Sequence, residues 1–419
     1  MSDQNGTDHE VVVVGAGQAG LSASWHLTHR GIDHVVLERD SVGHDWRDRR
    51  WGNFTLVTPN WQCQLPGFPY QGGDPDGFMG RDEVHAYVRS YADSFGAPVR
   101  EGVTVTSLQP RAAGGFLLDT AAHGSITSDA VIIATGGYHV PRIPRWADRL
   151  DARLHQVHSA DYRGADVLPE GAVVVVGTGQ SGAQIAEDLH LAGRQVHLVT
   201  GTAPRVARFY RGRDCVAWLS DMGTYDVPVE QQPGGLAARE KTNHYVTGRG
   251  GGHDIDLRAF ALEGMQLYGR LTDAHDATLS FAPTLTSNLD HADAVSESIK
   301  DAIDTHIARH GIDAPTEERY VPVWRPEVEP TDLDLDAAGV TTVIWATGFV
   351  ADWGWVKAPI FDGEGMACHL RGVTSVPGLC VLGLPWLYTW GSGRFAGIAR
   401  DAEHVVEALA DDRTALRVA

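Results

Sequence analysis

The run VVVVGAGQAG at positions 11 to 20 returns almost letter for letter as VVVVGTGQSG at 173 to 182, and few folds accommodate that device twice. Each copy opens on four valines, a β-branched run that reads as a strand buried on both faces of a parallel sheet. Each continues as G-x-G-x-x-G, then as LSASWHLTHRG or AQIAEDLHLAG, with apolar residues at helical spacing and a closing glycine. HVVLER and QVHLVT supply the next strand. Strand, glycine turn, helix and strand form the βαβ unit that holds a dinucleotide. The repeat keeps register: Gly15 and Gly177 lie 162 positions apart, as do Leu27 and Leu189, and Gly31 and Gly193.

The glycines have distinct tasks. Gly15 and Gly177 allow the tight turn, Gly17 and Gly179 admit a pyrophosphate, and Gly20 and Gly182 let helix pack on strand. Gln18, Ala19, Gln180 and Ser181 complete the two cofactor-binding turns, at helix N-termini that attract phosphate. The copies differ at the ribose. Glu38, with Arg39 beside it, ends the second strand of the first unit, where a carboxylate bonds ribose hydroxyls. The equivalent residue in the second unit is Thr200, followed by Arg205 and Arg208 in TGTAPRVAR. A carboxylate repels a 2′-phosphate and a neutral residue with nearby arginines accepts one, so the expected cofactors are FAD in the first unit and NADPH in the second. Replacing Arg205 and Arg208 should then weaken NADPH far more than NADH. The alternative is that both are ordinary solvated loop residues.

The segment SDAVIIATGGYHVPRIP at 128 to 144 is a strand ending in Ala134-Thr135-Gly136, and GVTTVIWATGFVADW at 339 to 353 carries Thr347-Gly348 at the matching place. Both resemble the crossings between domains in two-dinucleotide flavoproteins. The expected fold is α/β with two Rossmann-like domains in a glutathione-reductase-like arrangement, the NADPH domain inserted in the FAD domain. The expected boundaries are 1–165 and 335–419 for the FAD domain and 166–334 for the NADPH domain. A helix from about Arg394 would aim its positive end at the flavin pyrimidine. Cofactor binding leaves much of 205–335 unexplained: a lid, a substrate wall or a structural elaboration.

Composition excludes several classes. A net charge of -20 argues against nucleic acid and anionic membrane as partners. Cys63, Cys215, Cys368 and Cys380 form no C-x-x-C pair, and no histidine spacing suggests a metal site. The acidic start MSDQNGTDHE is unlike a secretory leader, and no apolar run approaches membrane-spanning length, so a soluble cytoplasmic protein is expected. Trp218, Trp324, Trp386, Tyr388 and Trp390 either line an apolar pocket or belong to the core.

Together with GHDWRDRRWGNFTLVTP at 43 to 59 and HSADY at 158 to 162, these motifs resemble the class B flavoprotein monooxygenases over nearly the whole chain. The resemblance implies that NADPH reduces the flavin, that O2 adds at C4a, and that the hydroperoxide passes one oxygen to a small organic substrate. ARLHQVHSADY matches the class fingerprint at His158 and Tyr162, while Ala152 and Leu154 replace its Phe and Gly. Tyr162 leans toward N- or S-oxygenation, and a Baeyer-Villiger enzyme would carry Trp there. The resemblance makes His158 a linker hinge or cofactor organiser, with direct catalysis as the alternative, and places Asn60 within reach of the C4a position. Trp46 and Arg47 would pack near the ribityl and phosphate region. Gly383 stands where reductase relatives have Gly-Asp, but Leu384 follows it, which argues against a reductase. The competing readings are an NADPH-dependent flavin reductase or oxidase and a noncatalytic FAD/NADPH sensor. A homodimer is common among similar enzymes.

Overall fold

The computed structural model describes residues 8–418, so the leader reading, which rests on the first residues, lies largely outside it. The first unit runs β1 (His9–Val14), α1 (Gln18–His29), β2 (His34–Leu37) and, beyond a helical excursion, β3 (Ser125–Ile133). A short β4 (Val140–Pro141) leads to β5 (His155–His158). The second unit follows: β6 (Ala172–Val176), α2 (Gln180–Leu191), β7 (Val196–Val199), β8 (Gln266–Tyr268), the long helix α3 (Leu285–His310) and β9 (Val340–Trp345). The chain closes with β10 (Phe349–Val350), β11 (Leu379–Val381) and α4 (Ile398–Val418).

Two parallel sheets result, in the order β11-β3-β1-β2 at the heart of the first and β5-β9-β6-β7-β8 for the second. Every strand of the second sheet falls between strands of the first along the chain, which is the nested arrangement expected from the two crossings. The valine runs explain why both sheets are covered on two faces. Alternate side chains point to opposite sides of a strand. Val11 and Val13 join Val173 and Val175 in one core shared by both units, whereas Val12 and Val14 serve a second core and Val174 and Val176 a third.

The expected boundaries miss two strands. β5 lies before residue 165 and β9 after 335, yet both pair in the second sheet, because the chain rejoins the first sheet only after the second crossing. The crossings themselves are zipped together: β4 and β10 pair antiparallel, and the Arg142 N–H donates to the Gly348 carbonyl at 2.9 Å. Among the described residues no helix is long and apolar enough to cross a membrane.

A Cβ added at Gly20 would run into the Gly15 carbonyl, and one at Gly182 into the Gly177 carbonyl. Neither carbonyl can yield, since each belongs to a turn fixed by its strand. Gly182→Ala is therefore expected to cost about 1–3 kcal/mol, the usual range for overpacking, read as a lowered urea midpoint. An unchanged midpoint would show that the turn can open.

Candidate functional site

The two glycine turns are superimposable in their chemistry. Gly15 has φ 107° and Gly177 φ 108°, and a Cβ there would lie 2.7 Å from the Ala134 carbonyl oxygen and 2.6 Å from that of Ala346. Each turn thus presses against the strand end that carries an ATG crossing. At the next glycine the situation reverses. A Cβ on Gly17 would meet nothing within 4 Å, and one on Gly179 only the Thr242 methyl at 4.0 Å. Neither helix that follows has a side-chain N-cap, so the first N–H groups of α1 and α2 face these open spaces. Open backbone and uncapped positive helix ends are what a pyrophosphate requires.

Glu38 follows β2 directly, and its carboxylate is steadied by the N–H groups of Ala16 at 2.7 Å and Asp40 at 2.9 Å. Arg39 turns to Asp40 at the surface. Thr200 occupies the same place after β7 but is buried, donating to the Tyr268 carbonyl at 2.8 Å and accepting from the Asn288 amide at 3.0 Å. The contrast in charge expected from the repeat is present in space.

Arg205 and Arg208 depart from the solvated-loop reading. They are 3% and 1% exposed, so they are not solvated loop residues. Arg205 is paired with Asp293 of α3 at 2.7 Å and lies over the Tyr320 ring, and Arg208 reaches Asp214 at 2.5 Å and the Val57 carbonyl at 2.7 Å. A buried guanidinium must be neutralised within the fold, and here protein carboxylates do it. Substituting these arginines breaks internal ion pairs, so their loss reports folding before it reports NADPH preference.

The three candidate catalytic residues are likewise engaged. Asn60 donates to the Asp74 carbonyl at 3.0 Å and accepts the Met79 N–H at 2.8 Å, closing its own loop. Tyr162 is fully buried and donates to Asp188 at 2.7 Å. Burial, with that carboxylate beside it, pushes its phenol up from the ordinary value. His158 accepts the Ala160 N–H at Nδ1, which leaves the proton on Nε2 for the Gly348 carbonyl at 2.9 Å. It ties the second sheet to the second crossing, and burial lowers its pKa. In the first crossing Thr135 bonds His139 at 3.1 Å beside Gly136, and in the second Thr347 bonds the Arg142 carbonyl beside Gly348.

Trp46 and Gln18 do converge. The Trp46 indole donates to Gln18 at 3.0 Å, and Gln18 donates to the Gly393 carbonyl at 3.0 Å, joining the first cradle to the turn before α4. Trp46 also stacks on Phe395 at 5.4 Å. Gly383 comes close enough that a Cβ would stand 2.6 Å from that of Ala19. Arg47 stays at the surface, paired with Asp48.

Two features escaped the sequence reading. Asp188 of α2 gathers Tyr162, Asn53 at 3.0 Å and Arg249 at 2.7 Å, and its neighbour Glu187 takes His253 at 2.6 Å; both carboxylates are buried. The signal was the adjacent acidic pair within the otherwise apolar AQIAEDLHL. The second is a strap over residues 224–247, part of the unexplained insertion. It starts against the C-terminal piece, where the Val229 N–H donates to the Tyr388 carbonyl at 2.8 Å and Trp390 donates to Asn243 at 3.2 Å. It ends over the second cradle, where Gln180 donates to the Val246 carbonyl at 2.6 Å. Trp386 and Trp390 are packed under this strap, whereas Trp218 belongs to one core cluster and Trp324 packs against another.

Nested parallel sheets, two glycine cradles and paired crossings define the class of two-dinucleotide-fold enzymes. The chain belongs to the pyridine nucleotide-disulphide oxidoreductase family, whose family model matches residues 12–221. It is 30% identical to an uncharacterized CzcO-like oxidoreductase of Geobacillus kaustophilus over 95% of this chain and 97% of that one. It is 32% identical to an indole-3-pyruvate monooxygenase of Oryza sativa subsp. japonica over 45% of this chain and 47% of that one. A flavin-containing monooxygenase from Stenotrophomonas maltophilia shares the fold with a TM-score of 0.66 at 20% identity, over 96% of this chain and 98% of that one.

Removing the Tyr162 hydroxyl leaves one oxygen of buried Asp188 without its donor, so Tyr162→Phe is expected to cost about 1–3 kcal/mol of stability. Its turnover at saturating substrate should keep the wild-type pH profile; a displaced profile would return Tyr162 to the chemistry. A second expectation concerns acid. Burial holds His26 and His369 at about 4 and also lowers His158. The folded protein resists protons that the unfolded chain accepts from about pH 6.5 downward, so this stabilisation is present above that pH and is lost as pH falls toward 4. Urea midpoints measured at pH 7 and pH 5 should differ in that direction.

Proposed function

We propose that this protein is an FAD-dependent, NADPH-consuming monooxygenase acting on a small organic substrate, with FAD in the first cradle and NADPH in the second. The observation that carries the reading is the repeated cradle with unlike ribose ends, Glu38 in one and Thr200 in the other. In this reading the FAD domain is the chain before the first crossing and after the second, and the NADPH domain lies between them. Bound FAD would supply the redox and oxygen-activating chemistry.

The chain's own residues bind, orient and enclose. Gly17 and Gly179 leave room for the two pyrophosphates, and Glu38 bonds a ribose. The turn before α4 brings a positive helix end toward the first cradle, where Gln18 fixes it. Trp46 and Phe395 wall the space with apolar surface that excludes water.

The cysteines favour oxygenation over disulfide exchange. Cys63 and Cys215 are buried, and burial pushes their thiols up to about 12, far from the thiolate that exchange requires. Leu384 in place of an acidic residue points the same way. The names of the rice relative and of the Stenotrophomonas structure support a monooxygenase. The likeness at His158 and Tyr162 favours N- or S-oxygenation, with ester formation from ketones as the competing reaction.

The test is to reduce the yellow protein with NADPH without air, then mix it rapidly with oxygenated buffer. A long-lived near-ultraviolet band belonging to neither oxidised nor reduced flavin supports the monooxygenase. Immediate return to oxidised flavin with stoichiometric hydrogen peroxide, unchanged when amines, sulfides and ketones are supplied, makes it an oxidase instead.

A further inference from the structure

One row of side chains on α2 reaches out of the second unit's own sheet. Gln180, Gln184 and Asp188 stand four apart, so they follow one another along a single helix face. Gln180 donates to the Val246 carbonyl of the strap at 2.6 Å, and Gln184 donates to the Thr55 carbonyl at 3.4 Å. Asp188 accepts from Asn53 at 3.0 Å, from Tyr162 at 2.7 Å and from Arg249 at 2.7 Å, while Glu187 beside it takes His253 at 2.6 Å. Arg208 adds a further bond to the same part of the first unit, donating to the Val57 carbonyl at 2.7 Å. Residues 53, 55 and 57, alternate members of one short stretch before the second unit begins, are thus each bonded from that unit.

The internal repeat shows that a cradle does not need such a row. The positions 162 earlier, in α1, are Gln18, Ser22 and His26. Ser22 donates to the Gln18 carbonyl at 2.7 Å and His26 meets Arg30 at 3.1 Å, both within the helix and its end. A glycine turn of the same geometry therefore forms without a carboxylate at these places, and Asp188 answers to a task that only the second unit has. A buried carboxylate is costly unless donors complete it. Here the donors come from three separate segments, so the site is complete only when those segments hold one relative position. A helix rises about 1.5 Å per residue, which puts Asp188 about 12 Å along a stiff rod from Gln180. Fixing that far end fixes the direction in which the cradle's first N–H groups point.

We propose that Asp188 is a positioning residue for hydride transfer: by tying the far end of α2 to Asn53 of the first unit, it sets where the second cradle presents its dinucleotide to the first. The step moves a hydride from NADPH to FAD, leaving NADP+ and the anionic reduced flavin. The inference rests on the reading of the first cradle as the FAD site and the second as the NADPH site, and it involves no oxygen. Transfer needs a short and well-directed gap, and a misplacement of about 1 Å can cost about 100-fold in rate.

The test uses the yellow holoenzyme without air. Asn53 is exposed, so Asn53→Ala removes a bond between the units with little threat to folding. Flavin reduction at saturating NADPH is expected to fall about ten-fold in Asn53→Ala and further in Asp188→Asn, with NADP+ affinity kept within about two-fold. A second readout needs no turnover. With the flavin reduced by dithionite, added NADP+ gives a long-wavelength charge-transfer absorbance where nicotinamide lies on flavin, and this band should weaken in both variants. Asn53→Asp sets two carboxylates together and should be slower still, and adding Asp188→Asn to it should recover part of the rate by exchanging donor and acceptor. A lowered urea midpoint with rate and band unchanged would make Asp188 a stabilising residue only and overturns the proposal, as does a loss of NADP+ affinity that matches the loss of rate. Should Asp188→Asn fail to fold, Asn53→Ala and Arg249→Gln carry the same readouts. Unchanged rate and band in variants of a protein that NADPH reduces sink this inference alone, whereas a wild type that NADPH does not reduce sinks the cofactor reading and this inference with it.

Discussion

Everything in this structure depends on how closely two backbones approach at each glycine turn. The carbonyls of Ala134 and Ala346 stand where a Cβ of Gly15 or Gly177 would be, so the strand end that begins each crossing is locked to the turn that opens each cradle. The chain therefore cannot place the cradles independently of the crossings. Once the crossings pair through β4 and β10, with Arg142 and His158 both donating to the Gly348 carbonyl, the two cradles are tied to one another through the crossings. Parallel strands buried on both faces supply the rigidity, because Val11, Val13, Val173 and Val175 share one core between the units.

The same rigidity explains the hydrogen bonds made by the polar residues singled out as catalytic. Tyr162, Asn60 and His158 lie in segments that must bridge units or close loops, and buried polar groups there are needed for their hydrogen bonds. In a flavoprotein reading this is coherent. The cofactor brings the reactive atoms, so the protein spends its polar side chains on fixing the cradles and its aromatic ones on keeping water out.

Sequence legibility followed the locality of the interactions. The valine runs, glycine spacing and ATG ends are governed by contacts within a βαβ unit or by its internal repeat, and all of these stand where the pattern put them. The exchange of Glu38 for Thr200 was legible because register alone fixes it. The burial of Arg205 and Arg208 was not legible: Arg205 is taken up by Asp293 of α3, 88 positions on, and Arg208 by Asp214 in the short hairpin strand 213–214. The boundaries slipped for a related reason: β5 and β9 are short strands whose sheet is chosen by pairing with each other across 187 positions, as His155 does with Thr342. Asp188 and the strap belong to the same group of long-range contacts.

The strap is one part of what the insertion contributes to the packing. Anchored at Tyr388 and Trp390 on one side and over Gln180 on the other, it spans from the C-terminal piece of the first unit to the second cradle. A segment tied at both ends cannot swing freely as a lid, since its Val229 and Trp390 contacts would have to break before it moved. Its residues Tyr225 and Asn243 meet an aromatic ring, Trp390, that also carries the Arg394 guanidinium. The cradles are thus written in the repeat, whereas the tie between the second cradle and the C-terminal piece is written in a stretch that the repeat does not contain.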